Sequence, residues 1–490
     1  MIGPAAIVLV AAPAAAALLC LVVGGPRRSE AFNLAAAIIA FAAAVTLVVL
    51  APPQPLYFWN DYVVIDRGGA WVLLCGAVVY LLASIYAVGY MRLLGEDARL
   101  GHFYALFAGF ALTIFLAPLM NNAGLYWIAI ELTTLVSTFL VAFELDATSI
   151  EAAWKYIIIV SAGISIALLG TVLFYWGGSF ANGPTWDLTW DALRKVAPKT
   201  SPAIVILSFL LVLIGYGTKV GLAPMHTWLP DAHSESPAPV SAMLSGALLN
   251  TAMFGIVRYL TVADAAHLGG TARTVLVALG LFSILVGALF IVRQRGVKRL
   301  MAYSSVEHMG VMALGFGFGG TLGIAGALYH MLNHSLNKSL MFFGAGNAMR
   351  VYGTKEMGGI REVALRLPVQ AALWLAGAAA ITGAPPFGLF QSELAILRAG
   401  LHRSFAWATF AMAVLLIVIF IGFLNHFRAM LYDGQAATEG GAAAPARLSA
   451  WCIAPMWLAV VPLLVLGLWW PTTLWSYFAD VARTLAGNAP

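Results

Sequence analysis

Charge is scarce in this sequence. Asp, Glu, Lys and Arg make up 10% of its 490 residues, where a soluble domain carries about 25%. No stretch is polar enough to fold as a separate soluble domain. Cysteine is nearly absent: Cys20, Cys75 and Cys452 stand alone, in or beside apolar runs, and no C-x-x-C occurs. That excludes a disulfide framework and a cysteine-bound zinc or iron–sulfur centre, so no cofactor and no metal are expected. The net charge of +5 is small and dispersed in loops, which excludes a nucleic-acid surface.

What fills the chain is hydrocarbon. Hydrophobic residues make up 62% and mean hydropathy is +0.90. Apolar runs of about 20 residues recur, the length that crosses a bilayer as a helix. The runs are continuous rather than alternating, so the fold class is an all-α polytopic membrane protein, not a barrel. About fourteen spans are expected, centred near residues 14, 41, 80, 111, 134, 165, 212, 249, 282, 308, 333, 384, 415 and 462. The first run, from about Ala5 to Gly24, is too long for a signal-peptide core and follows no basic residue, so it is expected to be retained. Residues 177–201 are expected to include an interfacial helix with Trp186 and Trp190, and 432–448 a flexible connection.

An even number of spans puts both termini on one side. Alternate loops hold 15 of the 26 Lys and Arg residues, among them Arg27, Arg92, Lys155, Arg293, Lys298, Arg299, Arg350 and Lys355. The positive-inside rule assigns those loops to the cytoplasm of a prokaryotic inner membrane, with both termini outside. Three basic residues remain within spans: Lys219, Lys338 and Arg258, the last near an outer helix end where it can snorkel.

Two spans are interrupted, span 7 at "GLAP" (Gly221–Pro224) and span 12 at "ITGAPPFGLF" (Ile381–Phe390). They lie five spans apart, so two groups, spans 4–8 and 9–13, would have opposite orientation. Broken helices at matching places of inverted halves point to an ion site. The expected divisions are helices 1–3 over 1–100, the two repeats over 101–263 and 271–431, and helix 14 over 449–490.

A charge at the bilayer centre costs about 2.5–3.5 kcal/mol on insertion scales, so such residues persist when paired or beside a wet path. Glu131 lies about two turns inside span 5, with Thr133 and Thr134 after it, and Lys219 lies late in span 7. They are expected to pair. Burial favours the neutral form of each member of such a pair and attraction the charged form, so it can release a proton when its partner moves. A static ion pair joining two helices is the competing reading.

In "YHMLNHSLNKSLMFFGAGN" His330, His334 and Lys338 recur at i, i+4 and i+8, on one helix face. With Asn333 and Asn337 beside them they make either a proton wire or a hydrogen-bonded interhelical seam. Haem ligation would need histidines from a facing helix. Glu393 follows the break in span 12; it is either a second site or an acid favoured by a helix N-terminus. Glu307 and His308 in "VKRLMAYSSVEHMG" are secondary candidates. His226 and His233 lie past the first break, where they could feed protons from the cytoplasm or merely sit in the interface.

The stretches "KVGLAPMHTWLPDAHSESPAPVSAML", "VKRLMAYSSVEHMG" and "HMLNHSLNKSLMFFGAGN" closely resemble the antiporter-like membrane subunits shared by respiratory complex I, Mrp-type sodium/proton antiporters and membrane-bound hydrogenases. The resemblance covers roughly residues 70–430. "AAWKY", which holds the further candidate Lys155, "SSVEHMG" and "NHSLNKSLMFFGAGN" are most similar to the F component of hydrogenase-4 and formate hydrogenlyase. The resemblance implies fourteen helices, two inverted five-helix repeats and proton movement along a central hydrophilic axis. It places Glu131, Lys219, His334, Lys338 and Glu393 at the family's span-5, span-7, span-11 and span-12 positions. Span 8 departs from it: where relatives often carry lysine or histidine, only Ser245 and Asn250 are offered, so a central relay would run through water or through His330 and His334. The long lateral helix of some complex I subunits is not expected.

The expected function is a proton-translocating subunit of a multisubunit redox-driven membrane complex, of hydrogenase-4 or complex I type. The redox enzyme would be a peripheral partner, and other membrane subunits would adjoin. A cation (Na+)/proton antiporter module and a passive membrane scaffold are the alternatives. The sequence names neither the partner enzyme, nor the ion, nor the direction of transport.

Overall fold

The computed structural model describes residues 1–95, 97–434 and 448–485. Most of the flexible connection expected over 432–448 lies outside them. The chain runs α1 (Ile2–Val22), α2 (Pro26–Leu50), a hairpin of β1 (Leu56–Phe58) and β2 (Val63–Ile65), α3 (Arg67–Leu94), α4 (Leu100–Leu119), α5 (Ala123–Val141) and α6 (Ala147–Asn182). The short α7 (Trp190–Val196) leads to α8 (Pro202–Val220), α9 (Trp228–Glu235) and α10 (Ala238–Ala265). Then come α11 (Gly269–Val292), α12 (Val297–Phe318), α13 (Gly320–Tyr352), α14 (Pro368–Ile381), α15 (Gly388–His402), α16 (Ala406–Tyr432), α17 (Ala450–Leu468) and α18 (Thr472–Leu485).

Thirteen expected span centres fall inside helices, and the fourteenth, near 384, falls in the break between α14 and α15. Among the described residues, eleven helices are long and apolar enough to cross a membrane. The two long helices outside that set, α12 and α13, carry the histidines and Lys338. The helix expected within 177–201 is present as α7, but it begins at Trp190 and leaves Trp186 outside; Trp190 faces inward, 1% exposed, and donates to the carbonyl of Met120. α6 runs further than expected, to Asn182.

Small residues set the spacing that matters for the site. Gly215 of α8 lies so close to Gly163 and Ala167 of α6 that an added Cβ would collide with backbone atoms. Small residues let membrane helices approach this closely, and the approach brings the end of α8 within side-chain reach of α6. There α8 stops at Gly221, whose φ of +79° is a left-handed helix cap that glycine adopts without penalty. α13 is the hub, packed against α3, α10, α12, α14, α15, α17 and α18. α10 is enclosed on all sides and contains a π turn at Leu244–Leu248.

Arg258 does not snorkel. Its guanidinium sits 2.5 Å from Asp66, both side chains 7% exposed, with Phe254 beneath it. Asp66 also caps α3 by accepting from the Gly69 N–H. Asp66→Ala strands a buried cation and removes a helix cap, so it should cost about 3–5 kcal/mol. Thermal unfolding in detergent reads this as a lower Tm.

Candidate functional site

Two polar clusters lie inside the bundle. The first joins α5, α6 and α8. Lys219 is fully buried, and its ammonium donates to Thr134 Oγ1 at 2.8 Å and to the Tyr156 hydroxyl at 2.9 Å, with the tyrosine ring centre 5.1 Å away. Thr134 in turn donates to Glu131 Oε2 at 3.4 Å, and the other carboxylate oxygen accepts from Ser161 at 2.6 Å. The expected direct pair is therefore corrected: among the described residues no carboxylate contacts Lys219, and Glu131 is reached through a hydroxyl. The reason is the rotation of α5, which aims Thr134 inward and leaves Glu131 half-buried on its flank. A threonine hydroxyl accepts one hydrogen bond while giving its own proton, so Lys219–Thr134–Glu131 is a consistent chain of donors.

The second cluster joins α12, α13 and α15. His330, His334 and Lys338 share one buried face of α13 as their spacing requires. Lys338 donates to the carbonyl of Met301 at 3.0 Å and to Ser304. His330 Nδ1 meets Ser392 Oγ at 2.9 Å, and its Nε2 meets His308 Nδ1 at 3.0 Å. Ser392 gives its one proton to the Leu389 carbonyl at 2.8 Å, so His330 Nδ1 must donate to it. With both rings neutral, His330 Nε2 then accepts from His308, and His308 Nε2 is left as a bare acceptor. That nitrogen lies 3.3 Å from Glu307 Oε2, an acid buried without a hydrogen-bond partner. The ring of His334 lies 5.5 Å from that of His308, and neither of its nitrogens has a partner among the described residues.

Glu393 lies in the second turn of α15, 5% exposed, with its Oε1 unpartnered. It is therefore not an acid of the first helical turn. His308, His330 and Glu393 each offer a ligand atom within 4.8 Å of the others. Two imidazoles and a carboxylate are a donor set that suits a zinc-like ion, but an ion there would have to replace the bonds the rings already make. Cysteine-based reasoning gave no hint of this group.

Between the clusters, Ser245 on the π turn of α10 meets Ser305 at 2.7 Å. Asn250 donates to Gly246, Met331 and Ser335, tying α10 to α13. These are hydroxyl and amide seams, and among the described residues no hydrogen-bonded chain runs from Lys219 to Lys338. Lys155 stands apart at the basic end, paired with Glu151 at 2.6 Å and Asp231 at 3.3 Å on the exposed surface. His226 lies in the turn between α8 and α9, 8% exposed, with its ring 6.1 Å from Tyr303. Tyr156, Ser161 and Ser392 escaped the sequence reading, although Tyr156 lay inside the quoted "AAWKY".

Residues 120–420 match the family described as NADH:quinone oxidoreductase/Mrp antiporter, TM. The chain is 38% identical over 322 residues to a hydrogenase-4 component F homolog of Methylacidiphilum infernorum, covering 64% of this chain and 68% of that one. It is 31% identical to NADH-quinone oxidoreductase subunit N of Desulforudis audaxviator, over 73% of this chain and 70% of that one. In fold it matches a chain of the Mrp complex of Dietzia sp. with a TM-score of 0.86, at 21% identity, over 98% of this chain and 97% of that one. On this match and on the 38% relative, the chain belongs to the NADH:quinone oxidoreductase/Mrp antiporter transmembrane family.

Proposed function

We propose that this chain is a proton-translocating subunit of a multisubunit, redox-driven membrane complex of the hydrogenase-4 or complex I type. One observation carries the proposal. Each polar cluster centres on a fully buried lysine whose ammonium touches hydroxyls or carbonyls but, among the described residues, no carboxylate. Such a charge is costly at membrane depth and marks an ion path. A lysine separated from its acid by one hydroxyl holds or releases its proton according to how closely that acid approaches.

Glu131 and Lys219 serve the first half in this scheme, and Lys338, His334, His330 and Glu393 the second, with Glu307 and His308 joining the second chain. The halves correspond to residues 101–263 and 271–431 as inverted repeats, between helices 1–3 and the C-terminal helices. The loops rich in Lys and Arg face the cytoplasm of a prokaryotic inner membrane. Electron transfer belongs to a peripheral partner enzyme in this scheme; the names of two relatives, a hydrogenase-4 component F homolog and an NADH-quinone oxidoreductase subunit N, support a redox complex.

The test is to purify the complex through a tag on this chain, reconstitute it in vesicles, and supply the substrate of the redox subunit that co-purifies. Dye-reported proton movement that persists when choline replaces sodium is the expected result. Proton movement that requires sodium makes the chain a cation/proton antiporter module. Electron transfer without any ion movement makes it a scaffold and overturns the proposal.

A further inference from the structure

At the basic end of the bundle a cavity of about 190 Å³ opens among Glu144, Ser234, Glu235, Lys298, Arg350 and Lys355. Its two acids are already engaged: Glu144 with Arg350 at 2.8 Å, and Glu235 with Lys355 at 2.6 Å. Lys298 is different. It is 3% exposed, and its ammonium donates to the backbone carbonyls of Ser234, at 3.3 Å, and Ser236. Among the described residues no carboxylate pairs with it. Three cations against two acids leave the cavity positive, with one buried lysine at its floor.

Beyond that floor lies His233. It is fully buried, neither ring nitrogen has a partner, and its ring stacks on Phe342 at 5.1 Å. Lys298 and His233 are neighbours through the chain itself, since the Ser234 carbonyl that Lys298 bonds follows His233 directly, and Ser241 holds that backbone, bonded to Ser236 Oγ at 2.9 Å and to the His233 carbonyl at 3.0 Å. Phe342 is one helical turn from Lys338 on α13. Along α13, Arg350 at the cavity and Lys338 in the second cluster are about 18 Å apart at 1.5 Å per residue. His233 occupies the interval.

We propose that this cavity is the proton inlet to the second cluster, and that Lys298 is its gate, passing protons and barring metal cations. The step is a simple exchange: the ammonium passes a proton, through water admitted from the cavity, to an unpartnered nitrogen of His233, and is reprotonated by hydronium from the cytoplasmic water beyond the cavity. A hydrated cation finds no such exchange and meets a fixed positive charge, the device that basic residues supply in other selective pores. The inference rests on the proposed proton translocation and on the orientation given by the basic loops. Of the two histidines past the first break, it gives the feeding role to His233 rather than His226.

A purely structural role is the rival, because Ser234 and Ser236 lie at the C-terminal end of α9, where a cation caps free carbonyls. Arginine separates the two, since it caps and repels but does not give up its proton at these pH values. The tagged complex carrying Lys298→Arg, Lys298→Gln or His233→Gln is reconstituted, with co-purification of the other subunits as the assembly check. Lys298→Arg and His233→Gln should each slow proton movement about a hundredfold, the scale of a lost proton-transfer group. Lys298→Gln should also raise radioactive sodium uptake several-fold. Wild-type pumping in Lys298→Arg makes the residue a helix cap; wild-type pumping in His233→Gln closes the route; unchanged sodium exclusion in Lys298→Gln removes the barrier. Each overturns the inference. Absence of proton movement in the unmutated complex overturns the broader reading instead.

Discussion

Lys219→Met abolishes proton translocation and leaves the complex assembled. Assembly survives because the substitution leaves no buried group stranded. Tyr156 keeps its bond to Ser137 at 2.7 Å and Thr134 keeps Glu131, while methionine fills the space with an unbranched side chain and no charge to desolvate. Translocation is lost because, among the described residues, the only titratable group of the cluster buried beyond Thr134, apart from a tyrosine, is gone. The companion change is Thr134→Val, which keeps the shape and removes the hydroxyl between ammonium and carboxylate. It should cost about 1–3 kcal/mol for the lost partner and slow pumping strongly, with Thr134→Ser restoring it. Proton-dye quenching in vesicles reads all three. Undiminished pumping in Thr134→Val would reduce the bridge to packing.

The titratable positions were legible because charge inside hydrocarbon is conspicuous. Lys219 and Lys338 interrupt apolar runs, and the i, i+4, i+8 spacing of His330, His334 and Lys338 fixes a shared face whatever the helix packs against. The Gly221 cap and the second break were legible for the same kind of reason: glycine and proline declare backbone geometry locally. Partners were less so. Whether Lys219 meets Glu131 directly or through Thr134 depends on the rotation of α5, while close packing at Gly163 and Gly215 sets only the approach of α8 to α6. Tyr156, Ser161 and Ser392 gave no signal, because hydroxyl residues occur throughout membrane helices bonded to their own backbone. Arg258 read as a helix-end residue until Asp66, distant in sequence, closed on it. Lys298 was counted among loop cations, since helix boundaries read from sequence shift by two to four residues, enough to move an ammonium from water to the interior. The hairpin at 56–65 and the π turn of α10 are set by packing, and short strands and π turns carry little pattern of their own.

His330→Gln should stop proton movement without unfolding the protein, whereas His330→Phe should do both kinds of harm. Glutamine can still donate toward Ser392 and accept from His308, so the α12–α13–α15 seam stays satisfied. It cannot take a proton on one side and release another on the opposite side, as imidazole does through its two nitrogens. Phenylalanine leaves the His308 Nδ1–H buried without an acceptor, at a cost of about 1–3 kcal/mol, visible as a lower Tm. The chain His308–His330–Ser392 has one direction of donors in its neutral state, and passing a proton along it must reverse both rings. A seam made for packing has no use for that reversal. Pumping at the wild-type rate in His330→Gln, with unchanged Tm, would therefore make the histidines structural and leave Lys338 to exchange protons through Ser304 alone.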